Sequence, residues 1–200
     1  MDLALFDFDG TLTDRETMPV FMHRAVRPRR LAWGKPLLMP LVVGYRIGAV
    51  PGTVVRAAIC RLGFRGVPAA ELEGHGQAFA QDYLPTVLRP EMMARIGWHR
   101  DRGDTVALVS GGLDVYLAPW ARQHGLALLC SQLERDGDRL TGRYQGHQCV
   151  GAEKARRVRQ QYDLARFGRI YAYGDTPEDR ELLALAHEAC YRGLDGRAEP

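Results

Sequence analysis

The chain has 200 residues, of which 46% are hydrophobic and 26% are charged, and its formal net charge is +3. This length suits one domain, or one domain that carries a smaller insert, and the composition excludes a chain that is disordered throughout. The four cysteines form no C-x-x-C pair, which argues against a zinc knuckle or a disulfide framework and favours a cytosolic protein. Asp2, Asp7 and Asp9 interrupt the N-terminal apolar residues and argue against a signal peptide.

Hydrophobic patterns predict the elements of the N-terminal half. The first strand is predicted over 2–8 and is followed by a mostly helical region from about 15 to 88. Prolines, which interrupt helices, predict breaks in this region at Pro28, Pro36, Pro40, Pro51 and Pro68. Further helices are predicted over 69–84, 90–102 and 113–124, and a buried second strand, TVALVS, over 105–110.

The C-terminal half carries a turn signal and a third strand. The segments LALLCSQLE and DRLTGRYQG flank Asp136-Gly137 and predict a hairpin. An amphipathic helix is predicted over 151–163 and a strand, RIYAYGD, over 169–175. A last helix is predicted over 177–190, with Thr176 as its N-cap and Pro177 at its first position.

Strands that alternate with helices predict an α/β fold with a mostly parallel sheet covered by helices. Ligands of such sheets bind beyond the carboxyl ends of the strands. Asp7 and Asp9 end the first strand, Ser110 ends the second and Asp175 ends the third. We therefore expect these side chains to gather at one edge of the sheet.

The residues expected at this edge suit phosphoryl transfer. In an ideal strand Asp7 and Asp9 face the same way, and their repulsion calls for a cation such as Mg²⁺, which prefers oxygen ligands. One aspartate can attack phosphorus, and a second can protonate the departing oxygen and later deprotonate water. Positive charge and phosphate hydrogen bonds can come from the remaining candidates, which are Lys154, Ser110 and the amides of Gly111 and Gly112.

Four segments carry a family resemblance. DFDGTLT (7–13), VALVSGG (106–112), EK (153–154) and YGDTPED (173–179) resemble, in order, the four motifs of the haloacid dehalogenase superfamily of phosphatases. The resemblance implies a Rossmann-like core over 1–14 and 86–200, with a helical cap of the type-1 (C1) kind inserted over 15–85. That cap is typical of the phosphoserine-phosphatase-like branch, subfamily IB.

The resemblance also implies roles for individual residues. Asp7 would be the nucleophile and Asp9 the general acid and base, and Ser110 and Lys154 would hold the phosphoryl group. Magnesium would lie on Asp7, the backbone carbonyl of Asp9 and Asp175, and Asp179 would complete or orient the site.

Two substrate hypotheses stay open. Glu16 and Arg56 stand where phosphoserine phosphatases meet the substrate amine and carboxylate, which favours a small phosphorylated amino-acid-like metabolite. The alternative is a phospholipid head group phosphate, as in phosphatidylglycerophosphate, because no acid separates Glu16 from Glu71 and the segment 24–65 is basic and apolar.

The basic and apolar segment 24–65 also bears on whether the protein contacts a membrane or nucleic acid. It is too interrupted by charge to predict a membrane span. Two interpretations stay open, which are peripheral contact of a cytoplasmic protein at the inner membrane surface and a solvated basic face over a stripe of core residues. No recognition motif for nucleic acid is present. A catalytically silent homologue that binds a phosphorylated ligand or an anionic surface is the alternative to an enzyme, and the oligomeric state stays open.

Overall fold

The structure, a computed structural model, describes residues 1–192. Its strands are β1 (Leu3–Phe6), β2 (Thr105–Leu113), β3 (Ala127–Ser131), β4 (Leu133–Asp136), β5 (Arg139–Tyr144), β6 (Ile170–Gly174) and β7 (Glu188–Tyr191). Its helices are α1 (Met18–Ala25), α2 (Pro28–Arg46), α3 (Gly52–Phe64), α4 (Ala69–Asp82), α5 (Pro90–Asp101), α6 (Asp114–Gln123), α7 (Ala152–Gln161) and α8 (Arg180–Leu183). The predicted core extends to residue 200, so its part beyond residue 192 lies outside the described residues.

Five of the strands form one parallel sheet in the order β3-β2-β1-β6-β7. The prediction of an α/β fold with a mostly parallel sheet is therefore confirmed. Helices cover both faces because successive strand side chains point to opposite sides. Ala4 and Phe6 of β1 join the hydrophobic core under α5 and α6, whereas Leu3 and Leu5 join the core under α7 and α8.

Helices α1 to α4 all lie between β1 and β2 in the chain. This insert packs on the part of the fold that contains the sheet through α4, which lies against α6. The approach is so close that a Cβ atom on Gly76 would lie 2.0 Å from the backbone oxygen of Val115. Glycine at this position therefore permits the contact between the insert and α6.

Helix α2 corrects part of the prediction for the insert. Breaks were predicted at Pro36 and Pro40, but both prolines lie inside the continuous helix Pro28–Arg46. Each proline removes one backbone hydrogen bond. The affected carbonyls belong to Ala32 and Pro36, both exposed residues, so water can satisfy the freed groups. Pro28, Pro51 and Pro68 do lie at or next to helix starts.

The predicted hairpin forms only in part. Strands β4 and β5 pair antiparallel around the turn at Asp136-Gly137. Residues Ala127–Ser131, which were assigned to the same hairpin, instead form β3 and pair in parallel with β2. The hairpin packs on α3 and bonds to the connection after it, where the N–H of Leu140 donates to the backbone oxygen of Val67 at 2.9 Å.

The last predicted helix is also wrong over much of its length. Residues 177–179 form a single 3-10 turn, α8 ends at Leu183, and Glu188–Tyr191 form β7 on the edge of the sheet. Helix-favouring residues such as leucine, alanine and glutamate dominate 180–189 locally, but pairing with β6 decides the conformation. The other predicted elements differ from the structure by a few residues at their ends.

Among residues 1–192, no helix combines the length and apolar character required to cross a membrane.

Candidate active site

The carboxyl ends of β1, β2 and β6 bring most of the predicted residues together. Phe6 is the last residue of β1, and its partners across the sheet are Leu108 of β2 and Tyr173 of β6. Asp7 follows directly and its N–H donates to the backbone oxygen of Tyr173 at 2.9 Å. Asp175 stands one residue past β6. The predicted convergence at one sheet edge is therefore observed.

Lys154 lies between two buried carboxylates. Its ammonium group donates to Oδ1 of Asp7 and, at 2.6 Å, to Oδ1 of Asp179. All three side chains are at most 8% exposed. Burial raises the pKa of Asp7 to about 8, with the Lys154 ammonium opposing and Asp179 adding to the shift. The two carboxylates raise the pKa of Lys154 despite its burial, so Lys154 carries a positive charge.

Asp9 faces a different partner from Asp7. Its Oδ1 accepts from the backbone N–H of Thr17 at 2.8 Å and from the hydroxyl of Thr17 at 2.6 Å. The two carboxylates therefore do not lie side by side as they would in an ideal strand, because β1 ends at Phe6 and the pleat does not continue. Burial, opposed by the Thr17 bonds and assisted by Glu16, raises the pKa of Asp9 to about 7. Such a carboxyl can give and take a proton near neutrality.

Asp7, Asp175 and Asp179 each offer a carboxylate oxygen, and these oxygens lie within 4.8 Å of one another. Gly10 makes room for this cluster, since a Cβ atom there would lie 2.2 Å from Oδ2 of Asp175. Thr11 donates to the other oxygen of Asp175 at 3.1 Å. Carboxylate oxygens are the hard donors that magnesium prefers, and Gly10 leaves the space in which they come together. The cluster therefore fits a magnesium ion.

Asp179 is already engaged by protein donors at both oxygens. Oδ1 accepts from Lys154, and Oδ2 accepts from the N–H of Asp175 at 3.2 Å and from the N–H and hydroxyl of Thr176 at 3.0 Å each. The geometry therefore favours the second of its two predicted roles, that of orienting the site. Asp7 and Asp175 are left as the side chains best able to meet a cation.

Ser110, Gly111 and Gly112 line the same cavity as Asp7. Ser110 is buried, and its Oγ accepts from the N–H of Gly112 at 3.0 Å, which leaves the hydroxyl hydrogen for an anion. Both glycines are sterically required: a Cβ atom on either would approach a neighbouring side chain to 2.8 Å. This irregular end of β2, directly ahead of α6, can therefore present hydrogen-bond donors to a phosphate.

The cavity has a volume of about 340 Å³, and Glu16 and Arg56 both line it. Arg56, predicted to meet a substrate carboxylate, is paired instead with a protein carboxylate: its Nη2 donates to Oε1 of Glu178 at 2.8 Å. Burial raises the pKa of Glu16, Arg56 lowers it, and Glu178 and Asp175 raise it further.

Sequence analysis did not identify four residues that contribute to this region. Thr11 and Thr17 bind Asp175 and Asp9, Tyr45 lines the cavity, and Gln148 accepts from Nε of Arg56 at 3.1 Å. Thr11 lies inside the DFDGTLT motif and could have been found from it. Thr17 lies only eight residues after Asp9 but belongs to no motif, and Tyr45 and Gln148 are distant in the chain and carry no local signal.

The comparisons with known proteins agree with this architecture. The profile of the haloacid dehalogenase-like hydrolase family matches residues 4–184. Protein CicA of Caulobacter vibrioides is 34% identical over 98% of this chain and 87% of that one. A protein of unknown function from Bordetella pertussis Tohama I has a TM-score of 0.80 at 26% identity, over 95% of this chain and 89% of that one.

Phosphoserine phosphatase shares the fold at lower identity. A structure of it with a phospho-aspartyl intermediate analogue has a TM-score of 0.68 at 20% identity, over 95% of this chain and 85% of that one. The parallel sheet with a carboxylate cluster at its strand ends, together with the matched family profile, places the chain among the hydrolases. The chain belongs to the haloacid dehalogenase-like hydrolase family, which confirms the superfamily predicted from the four motifs.

Proposed function

We propose that this protein is a Mg²⁺-dependent phosphomonoester hydrolase that works through an aspartyl-phosphate on Asp7. The observation that carries the proposal is the separation of two aspartates into different environments at the mouth of one cavity. Asp7 contacts the buried ammonium of Lys154, which favours its ionised form, whereas Asp9 lies away from that ammonium and contacts Thr17. One carboxylate is thereby suited to attack and the other to proton transfer.

The reaction has two halves. An Asp7 carboxylate oxygen attacks phosphorus, the bond from phosphorus to the ester oxygen breaks, and Asp9 gives its proton to the departing alcohol. Asp9, now ionised, takes a proton from water, and the resulting hydroxide attacks phosphorus. The bond from phosphorus to Asp7 breaks, which releases phosphate and restores both carboxyls.

The phosphoryl oxygens are held by Lys154, Ser110 and the amides of Gly111 and Gly112. Asp7, the backbone carbonyl of Asp9 and Asp175 would hold the magnesium ion, and Asp179 would orient Lys154 and the loop after β6. The ion supplies positive charge that offsets the charge of the carboxylates and of the phosphoryl oxygens. We assign the core to 1–14 and 86–200 and the cap to the helical segment 15–85.

We propose two alternative classes of substrate. Glu16 and Arg56 line the cavity, which supports a small phosphorylated amino-acid-like metabolite. A phospholipid head group phosphate is supported by the outer side of α2. That side exposes apolar side chains at Trp33 (81%), Leu37 (66%), Val43 (50%) and Ile47 (73%).

We propose that this side of α2 contacts an anionic membrane surface, with the protein on the cytoplasmic side of the inner membrane. The apolar side chains of Trp33, Leu37 and Val43 on α2, and of Ile47 directly after it, would lie in the head-group layer while basic residues meet lipid phosphates. The basic residues of the segment are Arg24, Arg27, Arg29, Arg30, Lys35, Arg46, Arg56, Arg61 and Arg65. No acid occurs between Glu16 and Glu71 to oppose this contact.

Vesicle co-sedimentation tests the surface proposal. Binding to anionic vesicles should exceed binding to neutral vesicles and should weaken with salt. The double substitution Trp33→Ser with Leu37→Ser should reduce binding roughly tenfold or more, while Trp98→Ser on α5 should not. Equal binding of all three proteins would remove α2 from the role.

Hydrolysis of p-nitrophenyl phosphate with magnesium tests the enzyme proposal. The wild type should turn over, Asp7→Asn should not, and Asp9→Asn should slow both halves of the reaction. Binding of phosphorylated ligands without turnover would instead support a catalytically silent regulator. Strong inhibition by beryllofluoride with magnesium is also expected, because it mimics a phosphorylated aspartate.

A further inference from the structure

We propose that Glu178 determines substrate specificity by occupying Arg56, so that the cavity selects phosphate esters whose alcohol carries an amine and no carboxylate. The inference rests on the proposed hydrolase function and names the substrate class of that site. It departs from the expectation that Arg56 itself receives a substrate carboxylate.

Arg56 is held by a connected set of hydrogen bonds. Nη2 donates to Oε1 of Glu178 at 2.8 Å, and Nε donates to Oε1 of Gln148 at 3.1 Å. Gln148 is fixed in turn, because its Nε2 donates to the backbone oxygen of Thr53 at 2.6 Å. The guanidinium of Arg56 on α3, whose side chain is 24% exposed, is therefore oriented by Glu178 and Gln148, which lie in two different connections of the chain.

A substrate carboxylate would have to displace a tethered competitor. Glu178 is attached to the same molecule, so its effective concentration at Arg56 is high and a free carboxylate competes poorly. The displaced Glu178 would also remain in the cavity wall and repel the incoming charge. Both effects disfavour an alcohol that carries a carboxylate.

The charge of the cavity wall favours an ammonium instead. Apart from the proposed catalytic groups Asp7, Asp9 and Lys154, its charged lining consists of Glu16, Arg56 and Glu178. Arg56 balances one of these two carboxylates. Glu16 is exposed, and over residues 1–192 no side chain donates a hydrogen bond to it, so its carboxylate is available to pair with a substrate ammonium. Tyr45 lines the same cavity and offers an aromatic ring to the cation.

The test compares three small phosphate esters that differ in whether the alcohol carries an amine or a carboxylate. Phosphoethanolamine carries the amine alone, O-phosphoserine carries amine and carboxylate, and glycerol 3-phosphate carries neither. Wild-type kcat/KM should be highest for phosphoethanolamine, by roughly tenfold over each of the others. A preference for O-phosphoserine or for glycerol 3-phosphate would overturn the inference.

Substitution of Glu178 tests the mechanism of selection. Glu178→Gln releases Arg56 and removes one negative charge, so the ratio of kcat/KM for O-phosphoserine to that for phosphoethanolamine should rise roughly tenfold. Glu73→Gln is the matched control, because Glu73 pairs with Arg135 at 2.7 Å on the surface and does not line the cavity. An unchanged ratio in the Glu178 variant, with unchanged thermal unfolding, would overturn the role of Glu178.

Failure of the specificity inference can be distinguished from failure of the proposed hydrolase function. A wild-type protein that hydrolyses p-nitrophenyl phosphate with magnesium but shows the wrong substrate order overturns only the specificity inference. A wild-type protein that hydrolyses none of the four esters overturns the proposed function itself.

Discussion

Lys154 donates a hydrogen bond of 2.6 Å to Oδ1 of Asp179, and the second oxygen of that carboxylate holds the loop that follows β6. One buried carboxylate thus links α7 to the segment that carries Asp175. The link matters because Lys154 also contacts Asp7, so the position of the ammonium at the proposed nucleophile depends on Asp179.

Removal of the Asp179 carboxylate should destabilise the fold strongly. Asp179→Ala leaves the Lys154 ammonium with one carboxylate fewer and leaves three donors of Asp175 and Thr176 unpaired. We expect a loss of about 3–5 kcal/mol in the free energy of unfolding, measured by urea denaturation. Glu181→Ala on the exposed side of α8 is the control and should change stability by less than about 0.5 kcal/mol. Equal effects of the two substitutions would contradict this account of Asp179.

Thr17 should tune proton transfer by Asp9. Its two hydrogen bonds favour the ionised carboxylate and so lower the pKa of Asp9 against the effect of burial. Thr17→Val removes the hydroxyl and should raise that pKa, which moves the limb of the kcat profile that reports Asp9 to higher pH. Thr17→Ser keeps the hydroxyl and should leave the limb in place. A profile that Thr17→Val does not move would separate Thr17 from the acid and base chemistry.

The contact between the insert and α6 should depend on one glycine. A Cβ atom on Gly76 would overlap the backbone of Val115, whereas a Cβ atom on Gly74 would meet open space. Both glycines lie in α4. Gly76→Ala should therefore lower the free energy of unfolding by about 1–3 kcal/mol. Gly74→Ala should raise it by about 0.5–1 kcal/mol, since alanine favours a helix. Thermal or urea unfolding that showed the same sign for both would contradict the close packing.

Buried His99 predicts a dependence of stability on pH. Its Nδ1 bonds Oδ2 of Asp104 at 2.9 Å, so Nδ1 carries the proton and Nε2 accepts from the hydroxyl of Tyr173 at 3.0 Å. Burial, partly opposed by Asp104, lowers the pKa of His99 below 6.5. The unfolded chain therefore binds a proton that the native state does not, and stability falls as the pH drops below about 6.5.

The comparison of two histidine variants isolates this effect. His99→Gln should flatten the dependence of unfolding free energy on pH below about 6.5, by up to about 1.4 kcal/mol per pH unit relative to wild type. His23→Gln, at an exposed position, should retain the wild-type slope. Parallel curves of unfolding free energy against pH for His99→Gln and wild type would show that His99 has the same pKa in the native and unfolded states, which would contradict the prediction.

Local sequence patterns predicted that the site lies at one edge of the sheet, because the carboxyl ends of parallel strands all lie at the same edge. The side chains of the apolar strands that end at Phe6 and Gly174 point alternately into two hydrophobic cores. The polar residues that follow these neighbouring strands therefore lie close together. The orientation of each carboxylate was not accessible in the same way. Asp9 turns to Thr17 because the strand has ended, and that contact depends on where α1 begins.

The errors lie where distant contacts outweigh local preference. Residues 184–190 favour a helix by composition, yet β7 forms because the edge of β6 offers a partner. The Arg56 and Glu178 pair joins residues 122 positions apart, so no spacing could reveal that the expected carboxylate site is already occupied. The division into core 1–14 and 86–200 and cap 15–85 stays a prediction.

Identification of the phosphorylated residue tests the central claim most directly. The protein would be mixed with substrate and magnesium, quenched in acid during turnover, digested and mapped by mass spectrometry. The account predicts a phosphoryl group on Asp7 that is absent from the Asp7→Asn variant, whose turnover falls by roughly a thousandfold or more. A phosphoryl group on another residue, such as Ser110, or full turnover by Asp7→Asn, would contradict it.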